Sequence, residues 1–362
     1  MTRGKILLPA LAILLLAGSG TLFLGWGTFR TWYVLAGLRK ADDEARAAWV
    51  ERAVALGPAA VDALLSGLTD EPGGEAHAEA LAAMAGEWGG ADERTARLAE
   101  KVARRCPDLP PAARARALRV MADCCPGGDA VRGWSVRLLD EACGEADPAV
   151  LESALVLACR LLPDVEQALP AARRLARAGL ASPAEGACVQ AIALSIRPGM
   201  DLLEEVTAKM KAGTPAVRRA AVLAGGTAEG TREDTLLACL HDEDAEVRRV
   251  ASSALLARGL RPEHVEMGRL FTHPKALTRL DVLDRLREVS DVDPVAWIKR
   301  LSLDPSPAVR TAAARVIGEH LASELGDRLD QMAKSDPSPT VAQLARYYLA
   351  TRREAVPVGG RR

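Results

Sequence analysis

Thr214-Pro215-Ala216-Val217-Arg218-Arg219-Ala220, Asp244-Ala245-Glu246-Val247-Arg248-Arg249-Val250 and Ser306-Pro307-Ala308-Val309-Arg310-Thr311-Ala312 are three copies of one phrase, and Ser338-Pro339-Thr340-Val341 begins another. Each opens on a side-chain oxygen able to accept from the orphan amides of a first helical turn. Where Pro comes next, it is already set at helical φ and loses nothing by lacking an N–H. Pro274-Lys275-Ala276-Leu277 fills the one vacancy, so that Val217, Val247, Leu277, Val309 and Val341 stand 30, 30, 32 and 32 residues apart. A purely helical repeat of that period predicts a solenoid of stacked hairpins.

The phase continues upstream in weaker form. Asp147-Pro148-Ala149-Val150, Ser182-Pro183-Ala184-Glu185 and Pro110-Pro111-Ala112-Ala113-Arg114 open helices, and Asp43 to Leu56 and Glu75 to Met84 read as earlier first helices. Apolar residues return at three and four, as in Val247, Val250, Ala251, Ala254 and Leu255, which makes each helix one-sided. Second helices follow: one after the Gly57-Pro58 break, then Val131 to Ala142, Val165 to Ala178, Asp201 to Met210, Thr231 to His241, Val295 to Leu303 and Leu321 to Ala333. Two helices joined by a few residues form an antiparallel hairpin.

No single hairpin buries its stripe, but a stack makes a continuous core, which reconciles 49% hydrophobic residues with 26% charged ones in an extended chain. With helices about 8–10 Å apart, about eight or nine hairpins predict a curved rod of roughly 80–90 Å. The fold class expected is all-α, an α–α superhelix preceded by one transmembrane helix.

That last expectation rests on Ile6 to Phe29, which holds 24 residues without a charge between Lys5 and Arg30. About 20 apolar residues span a hydrocarbon core, and Trp26, Phe29, Trp32 and Tyr33 would sit where the chain leaves the lipid. The division expected is a flank at 1–5, a transmembrane helix at 6–29, a juxtamembrane segment at 30–41, the solenoid at 42–351 and a flexible basic tail at 352–362. A cleaved signal peptide is the alternative, with Ala17-Gly18-Ser19-Gly20 supplying small residues. Lys and Arg counts on the two flanks tilt slightly toward a cytoplasmic repeat domain of a single-pass membrane protein.

The chemistry-bearing residues form no catalytic constellation. Seven cysteines lack metal spacing and read as small core residues, and His77, His241, His264, His273 and His320 are scattered, with no HExxH and no close pair. There is no phosphate-cradling glycine motif and no GxSxG. No enzyme, cofactor, metal or small-molecule substrate is expected. With 47 Lys and Arg against 48 Asp and Glu, and no aromatic stacking motif, no nucleic-acid partner is expected either.

The residues to follow are Arg218, Arg219, Arg248, Arg249 and Arg310. Stacking aligns them, so they could form a basic ladder that binds acidic protein segments. Alternatively, each Arg folds its stem over the core and pairs with an Asp of the neighbouring turn, such as Asp242, Asp244 or Asp304.

The turn-Pro-x-Val-Arg-x-x-Ala phrase resembles the HEAT-repeat family, in particular its short repeats similar to those of phycobilisome bilin lyases, over roughly residues 42 to 351. The resemblance implies an α–α superhelix that recruits proteins. The function expected is a membrane-anchored nonenzymatic scaffold or adaptor, its partners being proteins and, through residues 6–29, the membrane. The alternatives are a lyase-like or cofactor-chaperone accessory protein and a self-associating structural rod.

Overall fold

The computed structural model describes residues 28–69, 71, 73–125, 127–288, 293–321 and 323–355. Every regular element among them is a helix. The chain divides into two compact units, Met1–Val206 and Thr207–Arg362.

In the first unit, α1 (28–40) and α2 (Asp43–Val54) lead into α3 (Val61–Ser66), α4 (Gly73–Trp88), α5 (Glu93–Arg105), α6 (Pro111–Cys124), α7 (Asp129–Ala142), α8 (Pro148–Leu161), α9 (Leu169–Ala181) and α10 (Glu185–Ser195). Helices α2, α4, α6, α8 and α10 pack in that order as one layer, and α5, α7 and α9 pack as a second. This is the two-layer arrangement of stacked hairpins. Helix α8 presents Val150, Ala154, Leu157, Ala158 and Leu161 at helical spacing, all essentially without exposure, because it has neighbours on both sides of its layer and packs on both α7 and α9 of the other. Asp147 starts it by accepting from the amides of Ala149 and Val150 at 2.9 and 3.2 Å, with Pro148 in the first turn.

Helix α11 (Leu203–Lys209) covers the residues at which the units divide. The second unit then runs through α12 (Pro215–Thr227), α13 (Glu233–Cys239), α14 (Ala245–Ala257), α15 (Pro262–Phe271), α16 (Ala276–Glu288), α17 (Pro294–Leu301), α18 (Pro307–His320), α19 (Gly326–Ser335) and α20 (Pro339–Ala355). Helix α12 packs on α14 and α18 on α20, while α16 meets α18 more sparsely. Val309, Ala313, Ile317, Leu329, Met332, Val341 and Ala345 form one buried cluster with Ile298 and Leu301.

Several expectations are corrected. Among the described residues no helix is long and apolar enough to cross a membrane, so the transmembrane helix over 6–29, the single-pass location and the membrane as a partner are not retained. Residues 6–27 of that segment lie outside the described residues. Residues 28–40 form the helix α1, in which Val34 and Leu38 are buried and the Tyr33 ring meets Trp49 of α2 edge-on at 5.5 Å. Leu277 does not occupy the place of Val217, Val247, Val309 and Val341. Those four are buried, whereas Leu277 is 76% exposed. Thr278 takes the position instead, and the spacings become 30, 31, 31 and 32.

Close approach between layers depends on small residues. A Cβ at Gly179 of α9 would stand 2.6 Å from the Ala191 Cβ and 2.8 Å from Leu155 Cδ1, whereas one at Gly133 of α7 would meet nothing within 4 Å. Gly133→Ala should therefore stabilise the protein by roughly 0.5–1 kcal/mol through helix propensity. Gly179→Ala should destabilise it by about 1–3 kcal/mol through overpacking, despite the same propensity gain. Urea unfolding of the two variants checks this, and equal signs would contradict the packing.

Candidate functional site

The second unit repeats one polar arrangement. Arg310, in the first turns of α18, donates through Nη1 to the carbonyls of Asp304 and Pro305 at 2.8 and 3.0 Å, which belong to the turn leading into its own helix. Its other edge, Nε and Nη2, meets both oxygens of Asp336 at 2.9 Å, in the turn leading into α20. Arg279 does the same one repeat earlier, to the carbonyls of His273 and Pro274 and to Asp304 at 2.7 and 2.8 Å. Arg218 binds the Gly213 carbonyl at 2.9 Å and both oxygens of Asp242 at 2.7 Å. Asp242, Asp304 and Asp336 also accept the amides of Asp244, Ser306 and Ser338 respectively. One guanidinium thus joins two successive turns, with its planar fork matched to a carboxylate. In the first unit Arg114 forms a related link, to the carbonyls of Pro107 and Leu109 and to Glu145.

These pairs are little hydrated: the Arg310 and Asp336 side chains are 9% and 3% exposed. The Arg218 hydrogen bonds hold the Asp242 carboxyl below the usual range against the opposing effect of burial. Burial pushes Asp336 up, but the bonds from Arg310 and the Ser338 amide outweigh it, and the net direction is down.

The series is interrupted once. Arg248 of α14 keeps the first half of the arrangement, donating to the carbonyls of Asp242 and Glu243 at 2.7 and 2.8 Å. In the next turn, where Asp242, Asp304 and Asp336 stand in their repeats, the residue is His273. Its Nδ1 accepts the Lys275 amide at 3.1 Å, as the aspartates accept theirs, but it offers no carboxylate. Among the described residues Arg248 makes no ion pair. The His273 ring meets His241 edge-on with centroids 5.1 Å apart, a close pair that the sequence spacing did not reveal. His241 Nε2 lies 2.9 Å from the Arg269 carbonyl and 3.1 Å from Thr272 Oγ1. Burial lowers the His241 pKa, and His273 and Arg269 act in the same direction against the carbonyl bond.

The five arginines singled out from sequence therefore have three different settings. Arg218 and Arg310 are buried and bidentate, Arg248 stands at the interruption, and Arg219 and Arg249 are exposed, the latter 2.7 Å from Glu246. Arg279 escapes the sequence pattern because Leu277, one residue before Thr278, stands at nearly the repeat interval.

A second feature of this unit is a groove of about 470 Å³ between α16 and α18. Leu280, Leu283, Ile298 and Val316 make its apolar surface, with Asp284, Arg315 and Glu319 among its polar residues. Elsewhere, burial pushes the thiols of Cys106 and Cys124 up to about 12 and that of Cys239 to about 11, which keeps them protonated and poorly nucleophilic. Among the described residues no group of three or more His, Cys, Asp and Glu could hold a metal ion.

No family model matches this chain, so the resemblance to HEAT repeats with a membrane anchor does not stand as a family assignment. No curated protein matches it either. Among solved structures, the crystal structure of an engineered protein aligns at 18% identity over 88% of this chain and 83% of its own, with a TM-score of 0.32, too slight a likeness to carry an argument.

Removing one partner of a buried pair leaves the other charge uncompensated. Asp336→Ala should cost about 3–5 kcal/mol in chemical unfolding. Because the folded-state pKa values of Asp242 and Asp336 are depressed, their contribution is fully present above the unfolded carboxylate value of about 3.9 and is lost as pH falls through the folded values. The loss of stability on acidification should be smaller in Asp336→Asn than in the parent protein, as measured by urea midpoints from pH 6 downward.

Proposed function

We propose that this chain is a nonenzymatic helical-repeat scaffold that binds another protein along the surface of its stacked hairpins. The observation that carries the reading is the groove between α16 and α18. An apolar floor framed by residues of both charges is the composition of a protein-binding surface: the floor supplies desolvation energy, and the rim fixes orientation. Neighbouring helices give this surface a rigid backing. Leu283 and Val316 are half-buried on facing helices, so an apolar side chain of a partner seated between them would complete their burial. Full burial of one such side chain contributes roughly 1.5–3 kcal/mol, and a few together suffice for a specific complex.

The test uses the full chain in its native cells, with crosslinking and mass spectrometry to identify the protein it contacts. Val316→Glu and Leu283→Glu should each reduce recovery of that contact by tenfold or more while the purified variants keep their helical circular dichroism. Equal recovery with the parent and both variants would remove the groove as the binding surface.

A further inference from the structure

The interruption at His273 has a chemical meaning because its siblings define what the site accepts. In three repeats the Nε/Nη2 edge of the equivalent arginine holds an aspartate carboxylate with two hydrogen bonds of 2.7–2.9 Å. In the fourth, Arg248 donates through Nη1 to two carbonyls of its own turn, as Arg279 and Arg310 do, and among the described residues its Nε/Nη2 edge holds no carboxylate. We infer that the Arg248–His273 gap receives a carboxylate from a partner protein, an Asp or Glu side chain of an acidic segment that completes the series from outside the chain. This rests on the reading of the protein as a scaffold and names the chemistry of what it binds.

The local charges favour such a guest. Asp242 and Glu243, in the turn before α14, both face Arg218, at 2.7 and 3.6 Å, and Asp242 also feels the charge of Arg248. Lys275 follows His273 at an exposed position, and Arg269 lies on the helix below, 3.6 Å from Glu266. Arg248 itself is half-buried, held by its carbonyl contacts, so little conformational freedom remains to be lost on binding. Its fork suits a bidentate carboxylate better than any single-point acceptor.

His273 also supplies the test. Asp in its place would restore both the amide bond and the missing carboxylate, closing the gap internally. The full chain, labelled with nitrogen-15 at arginine, is titrated while the Nε–Hε resonance of Arg248 is followed. The probes are an end-blocked peptide of alternating Asp and Ser, its Asn counterpart, and acetate. The parent protein and His273→Ala should show a saturable Arg248 shift with the Asp peptide and not with the Asn peptide. His273→Asp should weaken that binding by about tenfold or more while raising the thermal midpoint by about 2–4 °C. The rise shows that this variant is folded. An absent Arg248 shift, or one unchanged in His273→Asp, overturns the inference, and so does acetate saturating as tightly as the peptide, which would make this a small-anion site. Leu283→Glu should leave the titration unaltered. A chain that keeps its groove-dependent partner in cells yet gives no Arg248 shift retires this inference and leaves the scaffold reading standing.

Discussion

A guanidinium shared between two successive turns is the constraint on which the second unit depends. The turns before α12, α14, α16 and α18 offer carbonyls to the arginine of their own helix, and in those before α14, α18 and α20 an aspartate accepts an amide of its own turn. Arginine alone can meet the carbonyls with one nitrogen and a carboxylate with the opposite edge, because its donors lie in one rigid plane. Burying such a pair is a weak source of net stability, since desolvation offsets much of the attraction. Its stronger effect is geometric: each rung fixes the distance and rotation from one repeat to the next. The recurrence of about 31 residues from Arg248 to Arg279 to Arg310 is the sequence record of that constraint.

The first unit stacks its two layers by different means. Its first-layer helices carry mostly Ala, Leu and Val, and α6 buries Ala113, Ala115, Ala117 and Ala122 beside Leu118 and Met121. Small residues let helices approach until backbone and Cβ atoms decide the spacing, as Gly179 does against Ala191 and Leu155. Register there comes from steric fit distributed over many contacts, with Arg114 and Glu145 forming a polar link of the later kind. A single loosened contact matters less in such a layer than a missing rung does in the other.

This difference explains what could be read in advance. Turn chemistry is local, so Asp147, Thr214 and Asp244 announced their helices and do cap them. Arg218, Arg248 and Arg310 stood out through repetition of one phrase. Helix α5 was missed although Thr95, Leu98, Ala99 and Val102 form its buried stripe, because no Pro precedes it and the repeat phrase is absent. The helix α15 opens on Pro262 yet carries no copy of the repeat phrase either. An apolar residue at nearly the right interval drew the phase to Leu277, and only packing could show that Thr278 and Arg279 carry the repeat. The long uncharged run near the N-terminus suggested an anchor by composition alone, which no helix of the described residues supports.

His273 could not be interpreted from sequence at all, since a histidine in a turn has no evident meaning until the neighbouring rungs show what normally stands there. Aspartate at this point does two things: it accepts an amide that shapes the turn and it neutralises the arginine of the preceding repeat. Histidine keeps the first, through Nδ1 and the Lys275 amide, and discards the second. Alanine would have lost both, and asparagine would have kept the turn while still offering Arg248 an oxygen. The residue present preserves the fold of the turn and opens only the arginine edge. A local rule broken so selectively, inside an otherwise regular array, places the chemical information of this surface at the one repeat where regularity stops.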